Sequence, residues 1–176
     1  LFFTEAGGYK FIIAPADWIS SGTKQDSQNI SDAGIQKALL GIDCGTPDRL
    51  NPVLLGATVI DDSTEGKKLL LLKIRLLKNW HIYSYVPKDS PFIQSKLSLQ
   101  LPPGVKQVGS VQSSAAKPMP GAPEVMIYED EASFVQELTI EHKSLKNPKA
   151  TISLYYQTCD ANQCLPPDTL TKEIQL

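Results

Sequence analysis

From Pro52 onward, apolar and polar residues alternate along most of this chain at a period of two, which places successive side chains on opposite faces of a β-strand. Val53 to Ile60 is the first such segment, closed by the turn-rich Asp61-Asp62-Ser63-Thr64-Glu65-Gly66. In Lys68 to Leu77, the side chains of Leu70, Leu72, Ile74 and Leu76 share one face, and Lys73 and Arg75 take the other. A turn at Lys78-Asn79 leads into Trp80-His81-Ile82-Tyr83-Ser84-Tyr85, rich in strand-favouring aromatics. Ser95 to Leu101, Val125 to Tyr128, Ser133 to Glu141, Ala150 to Gln157 and Thr169 to Leu176 complete the set. Roughly seven or eight short strands with turn signals between them, and no long helical pattern, predict an all-β antiparallel sandwich.

Two stretches depart from that pattern. Gly109 to Pro123 is small, polar and punctuated by proline, with Met119 its only large apolar side chain after Val111, so it reads as a long surface loop. The first 45 or so residues read as an N-terminal extension (1–45), distinct from the sandwich domain (46–176). Within it, Tyr9 to Ala14 has strand character, and Ser31 to Leu40 reads as a short helix with Ser31 or Asp32 as its cap and Gly41 at its end. The extension fits an added subdomain, part of a neighbouring module, or a strap packed on the sandwich.

Most of the chemistry lies near the C-terminus. Ile152, Leu154 and Tyr156 share one face of a strand that runs into Cys159, so that face is predicted to be buried. Asp160, Ala161, Asn162 and Gln163 suit a four-residue hairpin loop. Cys159 and Cys164 then face each other across an antiparallel pair, where Cα atoms stand about 4.5–5.5 Å apart, within reach of a disulfide. Pro166 and Pro167 lack N–H donors, so the returning strand cannot pair normally just after Cys164, and the sulfurs are predicted to lie at an accessible sheet end. Two readings of the pair stand side by side: a redox-active dithiol/disulfide, or an inert staple. A loop this short removes unfolded-state entropy worth only on the order of 2 kcal/mol. Asp160 adjoins Cys159 and no Lys or Arg lies between Lys149 and Lys172, so nothing local in sequence stabilises a thiolate. Exchange would then depend on an activated thiolate supplied by a partner.

Composition narrows the class. With 41% hydrophobic and 20% charged residues the chain reads as a soluble globular protein. A net charge of −2 gives no basic field, which argues against nucleic acid as a partner. The most apolar run, Leu69 to Leu77, is short and interrupted by Lys73 and Arg75, so no membrane-spanning segment is predicted. No leader pattern is present, so any export signal is expected to have been removed or to lie outside this chain. Cysteine and histidine are too few and too scattered for a zinc site, the histidines being His81 and His142, and Glu129-Asp130-Glu131 reads as a solvated turn. Hydrolase and kinase signatures find no support.

The block Tyr156-Gln157-Thr158-Cys159-Asp160-Ala161-Asn162-Gln163-Cys164-Leu165-Pro166-Pro167 resembles the active-site hairpin of the N-terminal periplasmic domain of the bacterial thiol:disulfide interchange protein DsbD family. Asn79-Trp80-His81-Ile82-Tyr83-Ser84 resembles its second signature, and the similarity runs from about Asn51 to Leu176. The resemblance implies an immunoglobulin-like sandwich in the periplasm that relays electrons. Its partners would be thioredoxin-fold proteins or domains and an adjoining transmembrane electron-transfer domain, with no metal or organic cofactor. Cys159 and Cys164 would be the redox pair, and Cys164 would form the mixed disulfide. The spacing of four residues is slightly shorter than in the best-known members of that family. They also shield their cysteines with an aromatic in a cap loop. Between Pro102 and Val125 this chain has no Phe, Tyr or Trp, and Met119 within Pro118-Met119-Pro120-Gly121 is the large side chain that could substitute; an ordinary loop is the alternative.

Other residues carry paired expectations. Trp80 on a strand reads as core. His81 could donate a proton near the thiols, yet alternation places it opposite Trp80 and Ile82, on a solvent-facing side. Tyr83 and Tyr156 either line the cysteine site or are buried tyrosines, each held by one hydrogen bond, and Cys44 is a buried hydrophobe or free thiol. The function these residues support is protein-disulfide reduction through Cys159 and Cys164; the rival is a sandwich binding module, adhesive or carbohydrate-binding, with a structural disulfide.

Overall fold

The computed structural model describes residues 32–62, 65–141 and 147–176. The strand expected at Tyr9 to Ala14, the side chains expected to cap the helix at Ser31 or Asp32, and His142 lie outside the described residues. One helix, α1 (Asp32–Leu40), precedes the strands β1 (Val53–Asp61), β2 (Lys67–Leu76), β3 (His81–Tyr85), β4 (Lys96–Gln100), β5 (Val105–Ser113), β6 (Lys117–Met119), β7 (Ala122–Glu129), β8 (Glu131–Ile140), β9 (Lys149–Tyr156), β10 (Thr158–Cys159) and β11 (Asp168–Gln175). They form three sheets, in the orders β1-β2-β8-β5, β10-β3-β7-β6 and β11-β9-β4, with antiparallel neighbours throughout.

The inner face of the first sheet packs against both of the others. Leu70 and Leu72 of β2 meet Leu138 and Ile152, while Ile74 and Leu76 meet Ile82, Tyr128, Leu154 and Tyr156. These are the even positions of β2 that its alternation predicted to share a face. Trp80 is buried as expected, and the turn before it places Asn79 at φ 69°, a left-handed conformation that Asn accepts more readily than most residues. The molecule is an all-β, immunoglobulin-like antiparallel sandwich.

The stretch read as a long loop, Gly109 to Pro123, is mostly strand. β5 runs through Ser113, its register against β8 breaking between Val108 and Gln112, and β6 forms a hairpin with β7. An edge strand buries few side chains, and Lys106 through Ser110 are all exposed, so the alternation that marks a half-buried strand is missing. Where the ladder breaks, the buried Gln136 side chain supplies a substitute, its Nε2 donating to the Val108 carbonyl at 2.9 Å. Pro120 and Gly121 occupy the two central positions of the β6–β7 turn, and Gly121 has φ 84°. That pairing of proline with a left-handed glycine is the signature of a type II turn.

The face of β2 that carries Lys73 and Arg75 is covered as well. Leu71, on the Lys73–Arg75 side of β2, lies under Leu39 and Ile42 from the α1 strap, together with Val135. Gly56 makes room for that strap, since a Cβ there would stand 2.4 Å from Ile42 Cγ2 and 2.6 Å from Cys44 Sγ. Lys73 itself is buried and ion-paired to Glu131 at 3.4 Å, and its carbonyl accepts the Cys44 thiol at 3.4 Å. Burial pushes that thiol above its ordinary pKa.

Candidate functional site

The strand carrying Ile152, Leu154 and Tyr156 buries that face as predicted, but it does not continue into the cysteines within one sheet. β9 pairs with β11 up to Tyr156 and Asp168; at Gln157 the chain leaves that sheet, and β10 joins the second sheet beside β3. Residues 157–167 are thus an excursion from the β9–β11 hairpin that delivers two sulfurs to a different sheet. The Thr158 hydroxyl donates to the His81 carbonyl at 2.9 Å, and Cys159 stands opposite His81 in the β10–β3 ladder.

The excursion closes on itself as the four-residue turn its sequence predicts. Asp160 N–H donates to the Gln163 carbonyl and Leu165 N–H to the Thr158 carbonyl, each at 2.9 Å. One oxygen of the Asp160 carboxylate also accepts the N–H groups of Asn162 and Gln163, each at 2.8 Å, so this side chain builds the turn. Cys159 and Cys164 form the narrow pair between those bonds, with Cα atoms 4.0 Å apart and a disulfide joining them. Their environments differ sharply. Cys159 is 2% exposed, whereas Cys164 lies in the exposed class with its neighbours Asn162, Gln163, Pro166 and Pro167.

Cys159 packs into an apolar cluster with Tyr83, Val125 and Ile127, against which Val86, Phe92, Met119 and Ala122 are packed. Tyr83, fully buried on β3, donates its hydroxyl to Cys159 Sγ at 3.0 Å. His81 Nε2 lies 3.3 Å from that hydroxyl, and its ring meets the Tyr83 ring edge-on with centroids 5.2 Å apart. Phe92 stacks on Tyr83, centroids 4.7 Å apart. The expectation of a solvent-facing His81 is therefore corrected: β3 is buried on both faces, because the second sheet has its own cover outside the main core. The expectation that nothing nearby could stabilise a thiolate holds along the sequence but not in space, where Tyr83 arrives from 76 residues upstream.

Of the residues singled out from sequence, Tyr83, His81, Asp160 and Met119 are gathered around Cys159, and Tyr156 packs into the inter-sheet core beside Ile82 and Tyr128. Phe92 and Gln157 gave no signal. Phe92 follows Pro91 in a stretch without periodicity, and Gln157 is an ordinary strand-end polar residue until the sheet switch is seen.

Burial pushes the Tyr83 phenol up to about 12, and burial, aided by the charge of Asp168, does the same for Tyr156. Burial holds the His81 imidazole below its ordinary value, against the opposing charges of Glu129 and Asp160. The phenols, whose pKa is higher folded than unfolded, contribute stability that is whole below about 10 and lost as pH rises through about 12. The imidazole, whose pKa is lower when folded, contributes stability present above about 6.5 and lost as pH falls below it. Unfolding stability from denaturant titrations at about pH 5, 8 and 11 should fall on both sides, by about 1 kcal/mol per tyrosine at pH 11. Tyr83→Phe should flatten the alkaline limb and His81→Gln the acid one; limbs unchanged in these variants would count against the assignment.

The model of the thiol:disulfide interchange protein DsbD N-terminal family matches residues 56–176. The chain belongs to this family. No curated protein matches it in sequence. Similar solved structures include the GAE domain of yeast GGA1, at 9% identity and a TM-score of 0.42, over 72% of this chain and 95% of that one. The GAE domain of GGA2p from Saccharomyces cerevisiae is similar at 9% identity and a TM-score of 0.41, over 77% and 94%. The reduced DsbD N-terminal domain of Neisseria meningitidis is similar at 16% identity and a TM-score of 0.33, over 60% and 75%. Membership in the DsbD N-terminal family therefore rests on the sequence match, and it includes the disulfide and every strand that surrounds it.

Proposed function

We propose that this DsbD N-terminal domain is a periplasmic protein-disulfide reductase module. It takes electrons from a thioredoxin-like domain, fed by an adjoining transmembrane electron-transfer domain, and passes them to disulfide-containing thioredoxin-fold proteins through Cys159 and Cys164. The observation that supports this most strongly is the asymmetry of the pair: one sulfur open to a visiting protein, the other buried against a hydroxyl donor. Among the described residues no helix is long and apolar enough to cross a membrane, so a transmembrane step would belong to another part of the system.

The chemistry follows from that asymmetry. A partner thiolate attacks Sγ of Cys164; a partner–Cys164 disulfide forms as the Cys159–Cys164 bond breaks, and Cys159 leaves as a thiolate. The Tyr83 hydroxyl already points at that sulfur and stabilises the charge as it develops. The partner's second thiolate then attacks its own bonded sulfur and releases Cys164. The partner dithiol is oxidised to a disulfide, and this domain's disulfide is reduced to a dithiol. Delivery to a substrate disulfide runs the same steps in reverse, with Cys164 as attacking thiolate and Cys159 resolving the mixed disulfide.

Met119 serves here as the cover that the family's cap aromatic provides elsewhere. It packs against the apolar cluster of Cys159 from the tight β6–β7 turn and is unbranched and adaptable enough to be displaced by a docking partner. Redox titration against a thioredoxin-fold dithiol tests both points. The pair should equilibrate at a measurable potential, and Met119→Ala should speed its reduction by a small thiol. A potential below about −300 mV, with no exchange, would favour the rival binding module stapled by an inert disulfide.

A further inference from the structure

The loop between β3 and β4, residues 86–95, is not simply a connection. It turns back along β3, where Gln94 bridges to Tyr83 in parallel and Ser95 N–H donates to the Tyr83 carbonyl at 2.8 Å. Ile93 N–H donates to Oε1 of Gln157 at 3.0 Å, and Gln157 is the residue at which the chain switches sheets two positions before Cys159. Residues 93–95 thus tie the end of the loop both to the strand of Tyr83 and to the residue that leads into the strand of Cys159. Directly before those ties the loop lays the Phe92 ring on Tyr83, nearly parallel at 14°, while the His81 ring meets the same tyrosine at 89°.

On the basis of the exchange function above, we propose that Phe92 is a positioning residue for it, clamping the Tyr83 ring so that its hydroxyl stays on Cys159 Sγ. The phenol oxygen lies on the χ2 axis but swings through several ångströms when χ1 changes, so a hydrogen bond at 3.0 Å needs the ring held against sideways displacement. Phe92 stacks on a face of the ring and His81 meets the ring at a right angle, so both restrict its displacement, and the Gln157 bond to Ile93 couples the position of Phe92 to the cysteine strand. When the disulfide opens, the same clamp keeps a donor on the sulfur that becomes a thiolate, without reorganisation at the moment of reaction.

The test is a titration of Cys159 in the reduced full chain carrying Cys44→Ser and Cys164→Ser, which leaves Cys159 as the single thiol. Phe92→Ala should raise the Cys159 thiol pKa by about one unit, a tenfold loss of thiolate at neutral pH, as expected for losing a hydrogen bond to a charged sulfur. Phe92→Leu, which keeps bulk without a stackable ring, should give the same shift and serves if the alanine variant does not fold; Phe92→Tyr should restore the original value. In a Tyr83→Phe background the Phe92 substitutions should have no further effect. An unmoved pKa in both Phe92→Ala and Phe92→Leu, or a shift that persists undiminished in Tyr83→Phe, would overturn the assignment. The titration needs no partner, so its failure is distinct from a failure of the disulfide to exchange with a thioredoxin-fold dithiol.

Discussion

With Cys44 replaced by Ser, the Cys159→Ser variant should accumulate a mixed disulfide with a thioredoxin-fold partner whose second cysteine is also replaced and whose remaining cysteine is activated as a disulfide with a small thiol, and Cys164→Ser should not. The expectation comes from access. A thiolate attacks along the axis of the disulfide it breaks, so the attacking sulfur must protrude far enough for two proteins to meet around it. Cys164 sits on the exposed limb of the hairpin, shortly before Pro166 and Pro167, which have no N–H to donate. Cys159 is enclosed by the ladder to His81, the Tyr83 hydroxyl and the apolar cluster it packs into. Either substitution should reduce two-electron turnover to background, because each completed exchange needs both sulfurs. Stability should drop by only about 2 kcal/mol, the value of so short a loop. Non-reducing electrophoresis reads the trapping, and equal trapping through Cys159 would refute the asymmetric assignment.

A second large effect is expected far from the sulfurs. Gly56→Val should lower unfolding stability by about 3 kcal/mol, comparable to burying one or two large apolar side chains. Gly56 lies on β1 opposite Lys73, and the strap crosses directly above it. Even the first carbon of a side chain would overlap Ile42 and Cys44, and Asp43 O would lie 3.3 Å away, so the branched valine cannot fit while the strap stays seated. Lifting the strap uncovers Leu71, which is fully buried, and Leu39 and Ile42 with it. It also frees the Cys44 thiol from the Lys73 carbonyl. Denaturant midpoints give the energy, and the rate of Cys44 alkylation by a thiol reagent reports the strap itself. A full loss of stability without faster alkylation would place the damage elsewhere, and neither change would mean the strap adapts freely.

Local covalent patterns carried the cysteine hairpin. Two prolines after Cys164 and a turn-forming Asp160 act over a few residues, so their consequences can be derived without knowing what lies across the sheet. The same holds for β2 and β9, whose inner faces are written as alternating apolar positions. β5 was hidden because an edge strand draws its backbone bonds from one neighbour and buries almost nothing, leaving no period to detect. His81 was misplaced for a related reason: alternation tells which residues share a face, not what covers that face.

By itself the sequence determined an antiparallel sandwich, the pairing partners within the cysteine turn, and a family whose members carry their cysteines in such a turn. Tertiary structure alone decided which sulfur is open and which is held. That depends on a sheet switch at Gln157 that sets Cys159 beside β3, and on Tyr83, His81, Phe92 and Met119 converging from segments far apart in the chain. The physical reason is that a hydrogen bond or a stacked ring acts over a few ångströms of space, and distance along the chain sets no limit on which residues folding brings that close.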